Sequence, residues 1–423
     1  MIGGLTVPDE VSFLEPFVSN GVFGATEVQV VSTFARASGE KSVPVLLAAA
    51  LAVRAPLLGH VCVELSTVAA TVVTAIDAPD DRNEGESRSS QPPGDFIDSG
   101  TDTDAVDRQI TELPWPDPAT WVAAVAESNL VARVDAARES PAQSVPAQSV
   151  LTDAARLKPL VLDGGRLYLS RYWYHERYVA ADLVHRTNSS AGSTTDAPGS
   201  TDSDPMAAAE GHVRRLFNSG PGSGDTGDNR GTTDSDQLLA ALAGLQRDLV
   251  VISGGPGTGK TTTVARFLAG LLSGMHQVRS DLLIALAAPT GKAATRMTES
   301  IRSAIALLGD ELDPEVVTSL QAVEATTIHR LLGSTGGGRF RHGPDSRLHH
   351  DVVIVDEVSM VSLSLMAHLL SAIRPDAKVV LVGDPYQLAS VEAGVVLGDI
   401  VGLSASTPAA DTSSGTGAGI PVP

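Results

Sequence analysis

The stretch VISGGPGTGKTTTVARFL, residues 251–268, passes from a short apolar run through a glycine-rich turn into a segment with helical spacing. Gly254-x4-Gly259-Lys260-Thr261 has the spacing of a phosphate-binding loop. Its place between a strand and a helix separates it from a chance glycine-rich turn. Glycines let backbone N–H groups close around phosphate oxygens, and a helix start adds a favourable dipole. The expected nucleotide contacts are Gly254, Gly255, Pro256, Gly257, Thr258, Gly259, Lys260, Thr261 and Thr262. Lys260 would neutralise the β/γ-phosphates of ATP, and the Thr261 hydroxyl would ligate Mg²⁺. Such a loop serves many kinds of machine, so the chain around it has to say which.

Downstream, strand DLLIALAAP is followed by a helix beginning near Gly291, and two more apolar runs end in acids: DVVIVDE (351–357) and KVVLVGD (378–384). Apolar strands alternating with helices, with polar residues at the strand ends, predict a doubly wound parallel sheet, an α/β fold. Asp356 is placed to hold Mg²⁺ and Glu357 to orient or deprotonate water. A lone Asp-Glu after a strand is usually a polar strand end; the phosphate loop in the same sheet favours the catalytic reading. In GDPYQL (383–388), Gln387 offers an uncharged amide that can sense the γ-phosphate. The plain alternative is a turn built on Asp384-Pro385.

The rest of the chain bounds the answer. The net charge is −20, yet from 237 to 400 there are 13 Lys+Arg against 16 Asp+Glu, so much of the excess lies in low-complexity stretches. An acidic mean therefore does not exclude a basic groove on the folded part. Cys62 is the sole cysteine, so no internal disulfide is expected. The start lacks a basic region ahead of an apolar run, and VPVLLAAALAV (43–53) is too short to span a bilayer; a cytoplasmic protein without a membrane segment is expected.

Composition divides the chain. Residues 1–76 and 113–186 read as one small, mainly helical N-terminal domain, split by an acidic insertion at 77–112 expected to be disordered. Within it, Pro118 and Thr120 open a helix, and PLVLDGGRLYLS turns at Asp163-Gly164-Gly165 as a hairpin that feeds another helix. A linker at 187–236 is expected to be disordered, with one weak helix near 205–217. A nucleotide-binding lobe at 237–402 and a disordered tail at 403–423 complete the division.

DEVSM followed by GDPYQL resembles motifs II and III of superfamily 1 helicases, which disfavours a nucleotide kinase or a clamp loader. GGPGTGKTTT, APTGKAATRM (288–297), TTIHRLLG (326–333), VDEVSM (355–360) and GDPYQLASVEAGVVLGDI (383–400) together resemble the RecD family, the alpha subunits of exodeoxyribonuclease V. Upstream, GHVCVEL (59–65) and RLYLSRYWYHERYVA (166–180) resemble that family's N-terminal region. The resemblance implies a P-loop RecA-like lobe in an ATP-driven 5′→3′ DNA motor, acting with beta and gamma subunits on duplex ends and single strands in break repair and recombination.

It also implies that Gln237 reads the adenine, and that Thr290, Lys292, Thr327 and His329 line a single-strand track. Taken alone, Gln237 is a polar residue near a helix start after Asp236, and His329 an ordinary histidine. Family members continue past GVVLGDI into a second RecA-like lobe that supplies a transition-state arginine, which is expected to be absent here. The alternative expectation is thus a truncated, nucleotide-binding but non-translocating assembly subunit. Finally, Tyr168, Tyr172, Trp173, Tyr174 and Tyr178, with Arg171 and Arg177 interleaved, form a cluster of the kind used at protein interfaces, and the resemblance points to the gamma subunit as its partner. A plain core helix is the other reading.

Overall fold

A computed structural model describes residues 5–72, 110–134, 158–191, 205–218, 230–275, 282–308, 311–387, 393–394 and 396–402. The tail expected at 403–423, and all but the last three residues of the insertion expected at 77–112, lie outside the described residues.

After a helical turn at Asp9–Leu14 and a short helix at Glu15–Ser19 come α1 (Ala25–Ser38) and α2 (Val43–Arg54). Helix α2 is apolar all round and buried over Val45–Arg54, as a central core helix must be. Strand β1 (Cys62–Glu64) and a turn of helix at Val68–Thr71 follow. Helix α3 (Pro118–Ala126) starts where proline and the Asp117 cap put it, the carboxylate accepting the Ala119 N–H. Strands β2 (Val131–Val134), β3 (Leu160–Asp163) and β4 (Arg166–Leu169) complete a four-stranded sheet in the order β1-β4-β3-β2. The β3–β4 hairpin turns through Gly164 and Gly165, both in the left-handed region that glycine tolerates. Trp121, fully buried, donates its indole N–H to the Pro44 carbonyl and joins α3 to α2.

The N-terminal region is mainly helical, as expected, but β1 and β2 extend its hairpin into a four-stranded sheet. The cause is pairing across distance: β1 and β2 are only three and four residues long, and their partners lie about a hundred and about thirty residues on. Strand pairing of that kind leaves no local period to read.

Helix α4 (Ser170–Ala191) crosses from the hairpin to the second half of the chain. Helix α5 (Pro205–Asn218) and helix α6 (Arg230–Gln246) precede β5 (Leu249–Ser253) and α7 (Lys260–Met275). Next come β6 (Ile284–Ala288), α8 (Gly291–Leu308), α9 (Pro314–Ala322), β7 (Ala325–Thr327) and the short α10 (Ile328–Leu331). A small hairpin, β8 (Ser334–Gly336) and β9 (Arg339–Phe340), leads to β10 (Val352–Val355). Helix α11 (Leu363–Ala372), β11 (Lys378–Gly383) and α12 (Val396–Ile400) end the described part. Five strands pair in parallel in the order β5-β11-β10-β6-β7.

The sheet is covered on both faces. Val353 and Val355 pack with α4 and α11, while Val352 and Ile354 pack with α5, α7 and α8. That two-sided burial is why the strands read as unbroken apolar runs.

Two expectations need correction. Residues 187–191 and 230–236 fall within the expected linker but belong to helices α4 and α6, while the helix expected near 205–217 is present as α5. Helix α5 buries Ala209, Val213 and Leu216 against α7, at Gly270 and Gly274. Its apolar face is narrow and small, so composition alone undervalues it. Second, four of the aromatics around α4 serve the chain's own core: Tyr172 and Tyr178 pack with the lobe, Tyr168 and Trp173 with one another, and all four are buried. The surface assignment fails for them. Arg186 fixes the same helix from within. Wholly buried, it pairs with Asp182 at 2.6 Å and donates to the carbonyls of Arg374 and Ala377.

A methyl group on Gly274 would meet the backbone N of Ala209 and the carbonyl O of Pro205, each at 2.5 Å. Backbone cannot step aside as a side chain can, so Gly274→Ala is expected to cost about 1–3 kcal/mol. Thermal unfolding should show a lowered Tm; an unchanged Tm would detach α5 from the lobe.

Candidate nucleotide site

The C-terminal ends of β5, β11 and β10 stand side by side, and the loops that leave them form the site. The loop after β5 runs through Gly254–Gly259 into α7. Gly257 and Gly259 take left-handed backbone angles that would strain a larger residue. Lys260, at the first position of α7, donates its ammonium to the carbonyls of Gly254 and Gly255 at 2.6 and 2.8 Å. Thr258 closes the turn through its hydroxyl on the Gly255 carbonyl, 3.0 Å. Thr261 and Thr262 follow in the first turn of α7, half-buried, and Pro256 is exposed.

Gln237 lies well inside α6 rather than at a helix start, and its side chain reaches the loop. Its Nε2 donates to the Thr258 carbonyl at 3.0 Å. A Cβ on Gly259 would fall 2.5 Å from that nitrogen, so the glycine leaves room for the glutamine.

At the end of β10, the Asp356 N–H bonds the Ala287 carbonyl of β6, and the Asp356 carboxylate accepts the Glu357 N–H at 2.8 Å. Burial pushes the Asp356 carboxyl above the usual aspartate range; the Glu357 N–H bond and the Lys260 charge oppose that shift without cancelling it. Glu357 has φ +54°, the one non-glycine residue with positive φ among the described residues. It opens a tight turn, Val358–Met360, in which the buried Ser359 hydroxyl has no hydrogen-bond partner among the described residues.

At the end of β11, Gly383 touches both neighbours. Its carbonyl accepts the Gly254 N–H at 3.2 Å, and an added Cβ would come within 3.3 Å of the Val358 and Ser359 nitrogens. Asp384, almost completely buried, caps the turn that follows: its carboxylate accepts the Tyr386 N–H and its carbonyl the Gln387 N–H. The Gln387 side chain is exposed beyond that turn. Asp384 thus builds the turn the sequence offers at Asp384-Pro385, but it does so buried at the end of a strand, as Asp356 does, rather than facing solvent.

The residues expected on a strand track sit at the other edge of the same row. Thr290 follows β6 and accepts the Ala293 N–H at the start of α8; Lys292 is exposed one turn on. Thr327 ends β7, in register with Ala288, and accepts the Arg330 N–H. His329 is exposed beside the Phe340 ring. Both threonine hydroxyls thus also serve as helix caps.

This row of strand ends around a phosphate loop defines a P-loop domain of RecA-like type. A family model described as an AAA domain matches residues 237–393, and one described as the RecBCD enzyme subunit RecD, N-terminal domain, matches residues 19–168. The RecBCD enzyme subunit RecD of Mycolicibacterium smegmatis is 37% identical over 397 residues, 92% of this chain and 54% of that protein. Its counterpart in Mycobacterium tuberculosis is 38% identical over 390 residues, 91% of this chain and 52% of that protein. The ATP-dependent RecD2 DNA helicase of Deinococcus radiodurans is 42% identical over 149 residues, 35% of this chain and 17% of that protein. The chain is similar to RecD subunits along nine-tenths of its length. It spans about half the length of the RecD relatives it matches most fully.

The raised Asp356 pKa carries a sign. In acid the carboxyl is protonated whether the chain is folded or not, and burial costs nothing. The cost builds as pH rises from the ordinary aspartate range to the raised value and is complete above it. Asp356→Asn keeps an acceptor for the Glu357 N–H and removes the charge. It should raise Tm at about pH 8 and leave it unchanged near pH 3. A pH-independent difference, or a lower Tm at pH 8, would contradict the burial argument.

Proposed function

We propose that this chain is the N-terminal part and nucleotide-binding lobe of an ATP-driven DNA helicase subunit, working 5′→3′ in a RecBCD-type exodeoxyribonuclease V in the cytoplasm. The observation that carries the reading is the shared row of strand ends, where Lys260, Asp356–Glu357 and the Asp384–Gln387 turn leave β5, β10 and β11. Similarity to RecD over nine-tenths of the chain supports DNA as the substrate and the beta and gamma subunits as the partners.

The residues present fit Mg²⁺·ATP. Two left-handed glycines open a cradle of N–H groups, Lys260 is positioned at its floor, and a hydroxyl and a carboxylate, Thr261 and Asp356, form a hard-oxygen donor set. Mg²⁺, when bound, offsets the charge of the β- and γ-phosphates. Lys260 and the loop N–H groups bind and orient the phosphates. Glu357 holds the proton of the attacking water, while Gln387, fixed by the Asp384 turn, senses the γ-phosphate. The Gln237 Oε1 accepts from the adenine amino group while its Nε2 stays on Thr258. Thr290, Lys292, Thr327 and His329 contact the strand.

Lys260→Ala should weaken binding of a fluorescent ATP analogue by about tenfold or more, the value of a charge-assisted bond, while AMP binding is untouched. Equal affinity of wild type and variant for the ATP analogue would sink the assignment. In the assembled complex, Glu357→Gln should retain ATP binding and lose roughly 10²–10⁴ in hydrolysis by this subunit. Undiminished turnover would remove Glu357 as the base.

A further inference from the structure

Between the N-terminal region and the lobe runs a groove of about 910 Å³ that none of the nucleotide chemistry uses. Phe34 of α1 and Leu57 wall one side; Tyr172, at the start of α4, lies in its depth; His329, Phe340 and His368 form the other side. The rings make a ladder. His329 and Phe340 are 5.8 Å apart between centroids, Phe340 and His368 5.1 Å, and His368 and His175 5.5 Å. The Arg171 guanidinium sits 4.6 Å over the Tyr172 ring at the same place.

Burial keeps the two inner histidines uncharged at neutral pH: His368 is pushed down by desolvation, and His175 to about 4 by desolvation, His368 and Arg171. Those two rings therefore present neutral faces. Along the segment that supplies His329, Gly338 and Phe340 the charge reverses that of the chain. Between 329 and 350 stand Arg330, Arg339, Arg341 and Arg347 against Asp345 alone, in a chain of net charge −20. The first three of those arginines are exposed. Neutral rings inside and guanidinium groups outside match a ligand with flat apolar faces on a polyanionic backbone.

We propose that this groove receives unstacked bases of a single DNA strand, with Phe340 and His329 as stacking faces and these arginines on its phosphates. The site rests on the reading of DNA as substrate and extends it. His329 lies two residues beyond Thr327, so the groove continues the row of strand ends toward the N-terminal region. It also gives that region contact with the strand, since Phe34 and Leu57 close the groove from its side. Exposed Arg330 follows the groove-lining His329 in sequence, and exposed Arg339 and Arg341 flank the groove-lining Phe340.

The test compares two oligonucleotides of about 15 residues, long enough for the site sizes of such grooves: oligothymidylate, and a strand of abasic sites with the same phosphates. Binding to the full chain is read by fluorescence anisotropy. Phe340→Leu keeps an apolar side chain in the core and removes the ring; circular dichroism and Tm verify that it folds. The variant should bind oligothymidylate about tenfold more weakly, the loss of one stacked base, and the abasic strand as well as wild type does. Arg339→Ala should weaken both strands alike. Lys292→Ala reports the strand-end track separately. If Lys292→Ala weakens binding while Phe340→Leu leaves both strands unchanged, the groove proposal is overturned and the DNA reading stands, as it would if a protein segment filled the groove. If wild type binds neither strand, both fall.

Discussion

Parallel pairing of Val352–Val355 with a neighbour on each side fixes where everything else in the lobe can be. Those four residues are completely buried, their side chains feeding two separate cores through opposite faces of the sheet. In a sheet paired this way a shift of one residue would turn every side chain to the wrong core, so the register is held by both layers at once. Because β11 and β6 are pinned to the same strand, the loops that follow them emerge at one level. The site is a property of that register before it is a property of any motif.

From this constraint the cross-links at the strand ends follow. Gly383 can accept the Gly254 N–H and lie against Val358 and Ser359 because β11 stands between β5 and β10 and carries no side chain there. Asp356 can be tied to the Ala287 carbonyl because β6 lies on its other side. The three loops are thereby joined through backbone groups, and the functional side chains project from a scaffold that is already closed. Residues held in this way are positioned with little loss of freedom when they act.

What the sequence reveals tracks the range of the forces involved. The lobe was legible since strands buried on both faces announce themselves as VVIV or KVVLVG, and the phosphate loop carries its own geometry in its glycines. The pairing of CVE (62–64) with RLY (166–168) was not, because strands of three and four residues a hundred positions apart leave no period. Helix α5 reads in the sequence only as a weak helix since it packs through alanine and valine onto glycines, a contact whose closeness comes from what the partner lacks. The aromatics of α4 misled for a different reason: tyrosine and tryptophan suit interfaces and cores equally, and only the placement of α11 shows that the interface is internal. Asp384 was legible as an acid ending an apolar strand and as a turn residue; its burial was not, because that comes from the loops packed around the strand end.

Glu357 brings these threads to one residue. A left-handed backbone costs a side-chain-bearing residue roughly 1–2 kcal/mol, so Glu357 does not hold its pose by its own preference. The brace from Asp356 on one side and the tight turn Val358–Met360 on the other keep it there. That turn is rooted by Val358 and Ser359, both buried, while Met360 stands partly out in solvent. The Glu357 backbone is therefore clamped to the sheet at one end, and at the other its carbonyl accepts the N–H of Met360 at 3.0 Å, a residue accessible from outside.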